Sequence, residues 1–253
     1  MNPQIISLAL FQFSPRWEDP AANYATVEEM VQEAKLEPGT LLVLPETFAT
    51  GFSGTSKVAE NDGGPTDVFL RGLAAEHGIG VVAGLVRRGD DGLGRNTAVL
   101  IDPTGQEIGA YAKRRPFLPG GEPWVPGEQP GVFHWNGLPI ALHICFDLRF
   151  PELFRDTLAP NPPILHVVIA SWSVARVHHW THLLRARAIE NQAAVVGVNR
   201  TGDDPFNTHN GQSAVFGPDG DIRLDCGSEV GIHRVQIRPA EIEAWRQRLP
   251  FLP

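Results

Sequence analysis

Short apolar runs recur along the chain with turn residues between them. Their spacing predicts strands at 5–13, 41–46, 80–86, 96–102, 138–145, 164–171, 193–199, 213–217 and 231–237. Several, such as GVVAGLV and ILHVVIAS, are almost unbroken in Val, Ile, Leu, Ala and Gly, as befits strands buried on both faces. Helical patterns lie between them, at about 22–36, 66–77, 150–158, 179–191 and 239–248. In the fourth, Trp180, Leu183, Leu184 and Ala188 share one face. DPTGQ (102–106) and GPDGD (217–221) have the turn chemistry that joins paired strands. This order predicts a layered α/β protein. Its strands are too many for one flat open sheet, which points to two stacked mixed sheets with helices outside. No low-complexity tract, charge block or long Gly/Ser linker breaks the pattern, so residues 1–253 read as a single domain.

Composition mainly excludes. Hydrophobic residues at 42% and charged residues at 20% describe an ordinary globular chain, long enough for a sizeable core. A net charge of −8 argues against nucleic acid or an anionic membrane surface as partner, since both need a basic footprint. A small anionic substrate needs only one or two local cations. Two cysteines rule out a disulfide framework and suggest a reducing compartment. The opening MNPQIISLALFQF lacks a basic leader region, and no run approaches the ~20 apolar residues of a membrane span. A cytoplasmic protein is expected.

Ligand sites of α/β folds gather where strands end, and three predicted strand ends carry reactive side chains. In LLVLPETF, Pro45 stops the strand and Glu46 follows. A carboxylate there is partly desolvated, which raises its pKa toward that of a general base; the alternative is an exposed loop glutamate. In GAYAKRRPF, Lys113 follows a β-like segment and precedes a long Pro/Gly-rich loop of the kind that often forms a lid. Its ammonium could stabilise an oxyanion, or simply be solvated. In LHICFDLRFPE, Cys145 closes an apolar strand. Alone it reads as a small core residue; with a helix starting in the following turn, backbone N–H groups would lower its thiol pKa. Together the three supply a nucleophile, a base and an oxyanion cation.

LPETF, YAKRRPF and CFDLRFPE, in that order and spacing, resemble the Glu–Lys–Cys motifs of the nitrilase, or carbon–nitrogen hydrolase, superfamily. RARAIENQAAVVGVNRTG (185–202) and GQSAVFGPDGDI (211–222) extend the likeness over nearly the whole chain. CFDLRFPELFRD and VVIASWSVARVHHWTHLLRARAIENQ resemble the omega-amidase-like branch most closely. The resemblance implies a four-layer α-β-β-α sandwich, a homodimer, and Glu46, Lys113 and Cys145 as catalytic residues. It implies Glu122, nine residues past the lysine, as a supporting glutamate, and the backbone N–H of Phe146 as a second oxyanion donor. The substrate would be the amide of a short dicarboxylate such as 2-oxoglutaramate, hydrolysed through a thioester without metal or organic cofactor. An N-carbamoyl amino acid amidohydrolase or an aliphatic nitrilase with the same triad is the alternative. KRRPF departs from the Lys-Arg-His-Leu-Phe common in this branch, which bears on loop shape and substrate preference.

A distal substrate carboxylate needs a cation. Arg149, four residues past the nucleophile, is placed to supply it, or else pairs locally with Asp147 or Glu152. Trp172 could wall the pocket or belong to the core. His178 and His182 have the i,i+4 spacing of a zinc pair, but no glutamate lies between them and no third ligand suggests itself. Arg187 and Glu190 are spaced as a helical pair that could brace the site from behind. Cys226 has neither base nor cation nearby in sequence and reads as inert.

Overall fold

A computed structural model of the protein describes residues 5–252. In chain order its first half runs β1 (Ile6–Gln12), α1 (Pro20–Ala34), β2 (Leu41–Val43), β3 (Ala59–Glu60), α2 (Pro65–His77), β4 (Gly80–Arg88), β5 (Gly94–Ile101) and β6 (Glu107–Ala112). After a long loop come β7 (Gly131–Trp135), β8 (Leu138–Ile144), α3 (Pro151–Arg155), β9 (Leu165–Ala170), α4 (Val177–Asn191) and β10 (Ala194–Asn199). The chain ends with β11 (Thr201–Asp203), β12 (Thr208–Asn210), β13 (Ala214–Phe216), β14 (Ile222–Asp225), β15 (Gly231–Ile237) and α5 (Pro239–Arg248).

Two large sheets result. The first has the order β15-β1-β2-β4-β5-β6, with β3 beside β4; the second has the order β14-β13-β10-β9-β8-β7. Each has a parallel centre, β1-β2-β4 in one and β8-β9-β10 in the other, flanked by antiparallel strands. Parallel neighbours need a crossover. α1 and α2 supply it in the first sheet, α3 and α4 in the second.

Strand alternation sorts the side chains into layers. Leu8 and Leu10 of β1, Val82 of β4 and Leu100 of β5 face the second sheet, packing in one cluster with Ile140, Leu142, Val167 and Ile169. Ala9 and Phe11, Val81 and Ala83, Val99 and Ile101 point the other way, onto Val27 and Val31 of α1 and Leu70 and Leu73 of α2. Trp180, Leu184 and Ala188 of α4 cover the outer side of the second sheet. The layers are thus α-β-β-α, as expected.

All nine expected strands and all five expected helices are present, with ends shifted by a few residues. Not anticipated as strands were β3, β7, β11, β12 and β14, and β6 was read only as β-like. β3, β11 and β12 are only two or three residues long, and β6, β7 and β14 lie at sheet edges, where one side of the strand meets solvent and the apolar run is broken. DPTGQ and GPDGD form the turns β5–β6 and β13–β14, closed by Asp102 N–H to Gln106 O and Gly217 N–H to Asp221 O. Among the described residues, no helix is long and apolar enough to cross a membrane.

Candidate active site

Glu46, Lys113 and Cys145 sit just past the ends of β2, β6 and β8, and the stacking of the two sheets brings them together. Lys113 is almost wholly buried. Its Nζ donates to Glu46 Oε1 at 2.9 Å and to Glu122 Oε2 at 2.8 Å. Burial works against its charge, but the two carboxylates outweigh it and hold its pKa above the ordinary lysine value. Asn96 of β5 repeats the bridge: its Nδ2 donates to Glu46 Oε1 at 2.7 Å and to Glu122 Oε1 at 2.8 Å. The other Glu46 oxygen accepts the backbone N–H of Ser171 at 2.8 Å. Both glutamates are therefore immobilised, and Glu122, from the Pro/Gly-rich loop, belongs to the group.

Cys145 lies at φ +47°, a region that non-glycine residues rarely occupy and that recurs at functional sites. Its thiol lies beside the Glu46 side chain and the Ser171 backbone, close enough for both to act on its ionisation. The turn after it is a 3-10 helix of five residues, Cys145–Arg149. The expected fall in thiol pKa is not found. Burial, with the negative charge of Glu46, pushes the thiol well above the usual cysteine range despite the pull of Lys113. A carboxylate in contact with a protonated thiol is a base beside its proton. Phe146, which would offer the second oxyanion donor, has its ring against Phe117 and Phe150.

The surroundings hold these groups in register. Asp147 is buried and accepts from Tyr111 Oη at 2.8 Å, Arg115 N–H at 2.9 Å and Ile144 N–H at 3.0 Å, so one carboxyl ties the lysine's strand end to the cysteine's. Burial, against the pull of Lys113, pushes that carboxyl up to about 6. Arg187 donates to Leu148 O through Nε and Nη2 and pairs with Glu190 at 2.8 Å, bracing the Cys145 turn from behind. Gly84 of β4 lets the Glu46 segment pass close by: a Cβ there would lie 2.7 Å from Thr47 N and 2.8 Å from Glu46 Cα. Gly84→Ala is expected to displace that backbone and to cost about 1–3 kcal/mol, read as a lowered denaturation midpoint.

Cys145 opens into a cavity of about 230 Å³, lined among others by Phe52, Phe117, Trp124, Ser173, Arg176 and His209. Arg149 and Trp172 are not among its lining residues. Arg149 pairs with neither Asp147 nor Glu152. Both of its terminal nitrogens lie 3.2 Å from His179 Nδ1, and its guanidinium stacks 4.6 Å from the Trp172 ring. Trp172 is core, and its Nε1 donates to Arg176 O at 2.8 Å. Sequence reasoning missed Asn96, Ser173, Arg176 and His209. Ser173 and Arg176 follow a predicted strand end, β9, as Cys145 follows β8, so the same rule could have found them. His182 Nδ1 donates to the carbonyl of His178, the residue that shares its i,i+4 spacing, at 2.6 Å. Cys226 is buried, its thiol pushed up to about 12 by burial and Asp225.

The fold and the assembled Glu–Lys–Cys group define a class. Residues 7–247 match the Carbon-nitrogen hydrolase family, and the chain belongs to it: it is a hydrolase of carbon–nitrogen bonds. Among particular relatives, a 2-oxoglutaramate amidase of Bacillus subtilis is 33% identical over 250 residues, covering 96% of this chain and 95% of its own. An omega-amidase of Yersinia enterocolitica is 32% identical, covering 97% of this chain and 94% of its own. The crystal structure of a CN-hydrolase superfamily protein from Xanthomonas campestris, with an arsenic adduct in its active site, superposes with a TM-score of 0.91 at 32% identity, covering 98% and 96% of the two chains.

Proposed function

We propose that the protein is an omega-amidase that releases ammonia from the amide of a short dicarboxylate such as 2-oxoglutaramate. The observation that carries the chemistry is Glu46, in contact at once with the Cys145 thiol and with Lys113. Glu46 takes the thiol proton as sulfur attacks the amide carbon. Lys113 and the backbone N–H of Phe146 hold the tetrahedral oxyanion. Glu46 then gives the proton to the departing nitrogen, and ammonia leaves a thioester on Cys145. Water, deprotonated by Glu46, attacks the thioester; the C–S bond breaks, the acid departs and the thiol regains its proton. Glu122 orients Lys113 and the substrate amide throughout. The residues need no cofactor for these steps.

Two kinds of support favour a small acidic amide. Relatives named for 2-oxoglutaramate and omega-amide hydrolysis cover nearly the whole chain, and the cavity is below the ~300–1,000 Å³ of pockets for drug-sized ligands. The family resemblance and the two buried free thiols support a homodimer working in the cytoplasm. Purified protein is expected to release ammonia from 2-oxoglutaramate faster than from a carbamoyl amino acid or an aliphatic nitrile. No turnover of the first alongside good turnover of either other substrate would refute the omega-amidase reading.

A further inference from the structure

We infer that Arg176, together with the hydroxyl of Ser173, forms the subsite that binds the carboxylate at the far end of the substrate. The inference rests on the omega-amidase reading and names the group that confers its preference for an acid. Charged side chains on the cavity wall are few. Glu122 is tied to Lys113 and Asn96. Asp204 accepts the N–H groups of Phe206 and Asn207, both at 2.8 Å. Arg176 is the cation of that wall, and among the described residues no carboxylate pairs with it. Its guanidinium lies 5.3 Å from the Phe117 ring centroid, held by a face that competes for none of its hydrogen bonds.

Ser173 is a second, independent pointer. It lines the same cavity, is only 4% exposed, and its Oγ has no hydrogen-bond partner. A buried hydroxyl without a partner is costly unless a ligand completes it. The two residues share one turn: Arg176 N–H donates to Ser173 O, and Trp172 Nε1 caps Arg176 O. Behind that turn stands Arg149, stacked on Trp172 and bonded to His179, close enough to Arg176 for the two positive charges to oppose each other. Such a like-charge cluster is unfavourable in the empty enzyme and is relieved by an anion. Arg149 is thus a positioning residue, and Arg176 makes the contact. A guanidinium fork beside a hydroxyl donor matches a carboxylate's two oxygens. His209, on the same wall, adds no competing charge: burial, with Arg200 nearby, lowers it to about 4.

The test compares 2-oxoglutaramate with pentanamide, a neutral amide of the same chain length. For Arg176→Ala, the ratio of kcat/KM for the acidic over the neutral amide is expected to fall roughly 10- to 100-fold, mostly through KM. Arg176→Lys keeps part of that preference, and Ser173→Ala loses a smaller share. An unchanged ratio in Arg176→Ala overturns the subsite, as does a larger collapse in Arg149→Ala. If the wild-type enzyme is inactive on 2-oxoglutaramate, the omega-amidase reading fails, and the subsite is judged by calorimetry alone. Glutaramate, with one carboxylate and a neutral amide end, is the probe: binding to Cys145→Ala protein that is weakened at least tenfold by adding Arg176→Ala supports it; no binding, or binding that survives the change, overturns it.

Discussion

Cys145→Ala is expected to abolish ammonia release, a loss on the order of 10⁶-fold if the thiol works as a unit with its base, while the fold persists. Alanine keeps the Cβ, so the backbone at φ +47° is no more strained than before. The deletion removes one sulfur from a site that already opens onto a cavity, leaving little new void. Stability is expected to change by no more than about 1–2 kcal/mol. Steady-state turnover and a denaturation curve on the same preparation check both halves. Turnover at the wild-type rate would remove cysteine from the mechanism and leave Glu46 without the proton it is placed to take.

Lys113→Met is expected to fail on both counts. It leaves Glu46 and Glu122 buried, joined through Asn96 and facing each other with no cation between them. Removing one partner of a buried ion pair costs about 3–5 kcal/mol, and loss of the proposed oxyanion donor would add a fall in kcat of roughly 10²–10³-fold. The stability deficit has a signature in pH. An unpaired buried carboxylate has its folded pKa raised above its unfolded value of about 4.3. The variant is therefore most destabilised relative to wild type above that raised pKa, and recovers as pH falls through it and a proton is taken up. Denaturation midpoints of the two proteins that stay equally far apart from pH 8 to pH 5 would contradict this account.

The residues that could be read from the chain were those marked by an abrupt change of pattern. Glu46, Lys113 and Cys145 each follow a strand, and a reactive side chain after an apolar run stands out without knowledge of the fold. Glu122 was legible only through resemblance, since nothing in the composition of PGGEPW marks one exposed-looking glutamate as the partner of a lysine. Asn96 was hidden for a different reason. It lies near the start of an apolar run, and only pairing β5 with β6 brings it beside Lys113, whose N–H donates to Asn96 O. Arg149 and Arg176 illustrate a limit of proximity along the chain. Arg149 is four residues from Cys145 but turns toward Trp172 and His179, whereas Arg176, thirty-one residues away, reaches the cavity because β9 runs parallel to β8 and ends at the same level. The edge strands were faint because their pattern is set by solvent on one side, which chain order does not reveal.

The buried lysine between two glutamates also bears on how a product would leave. Two carboxylates against one ammonium leave the cluster one negative charge in excess. The amide end of the proposed substrate is uncharged and meets that charge without penalty, whereas a carboxylate formed at the same spot is repelled. That repulsion would hasten the new anion's departure and empty the site for the next amide.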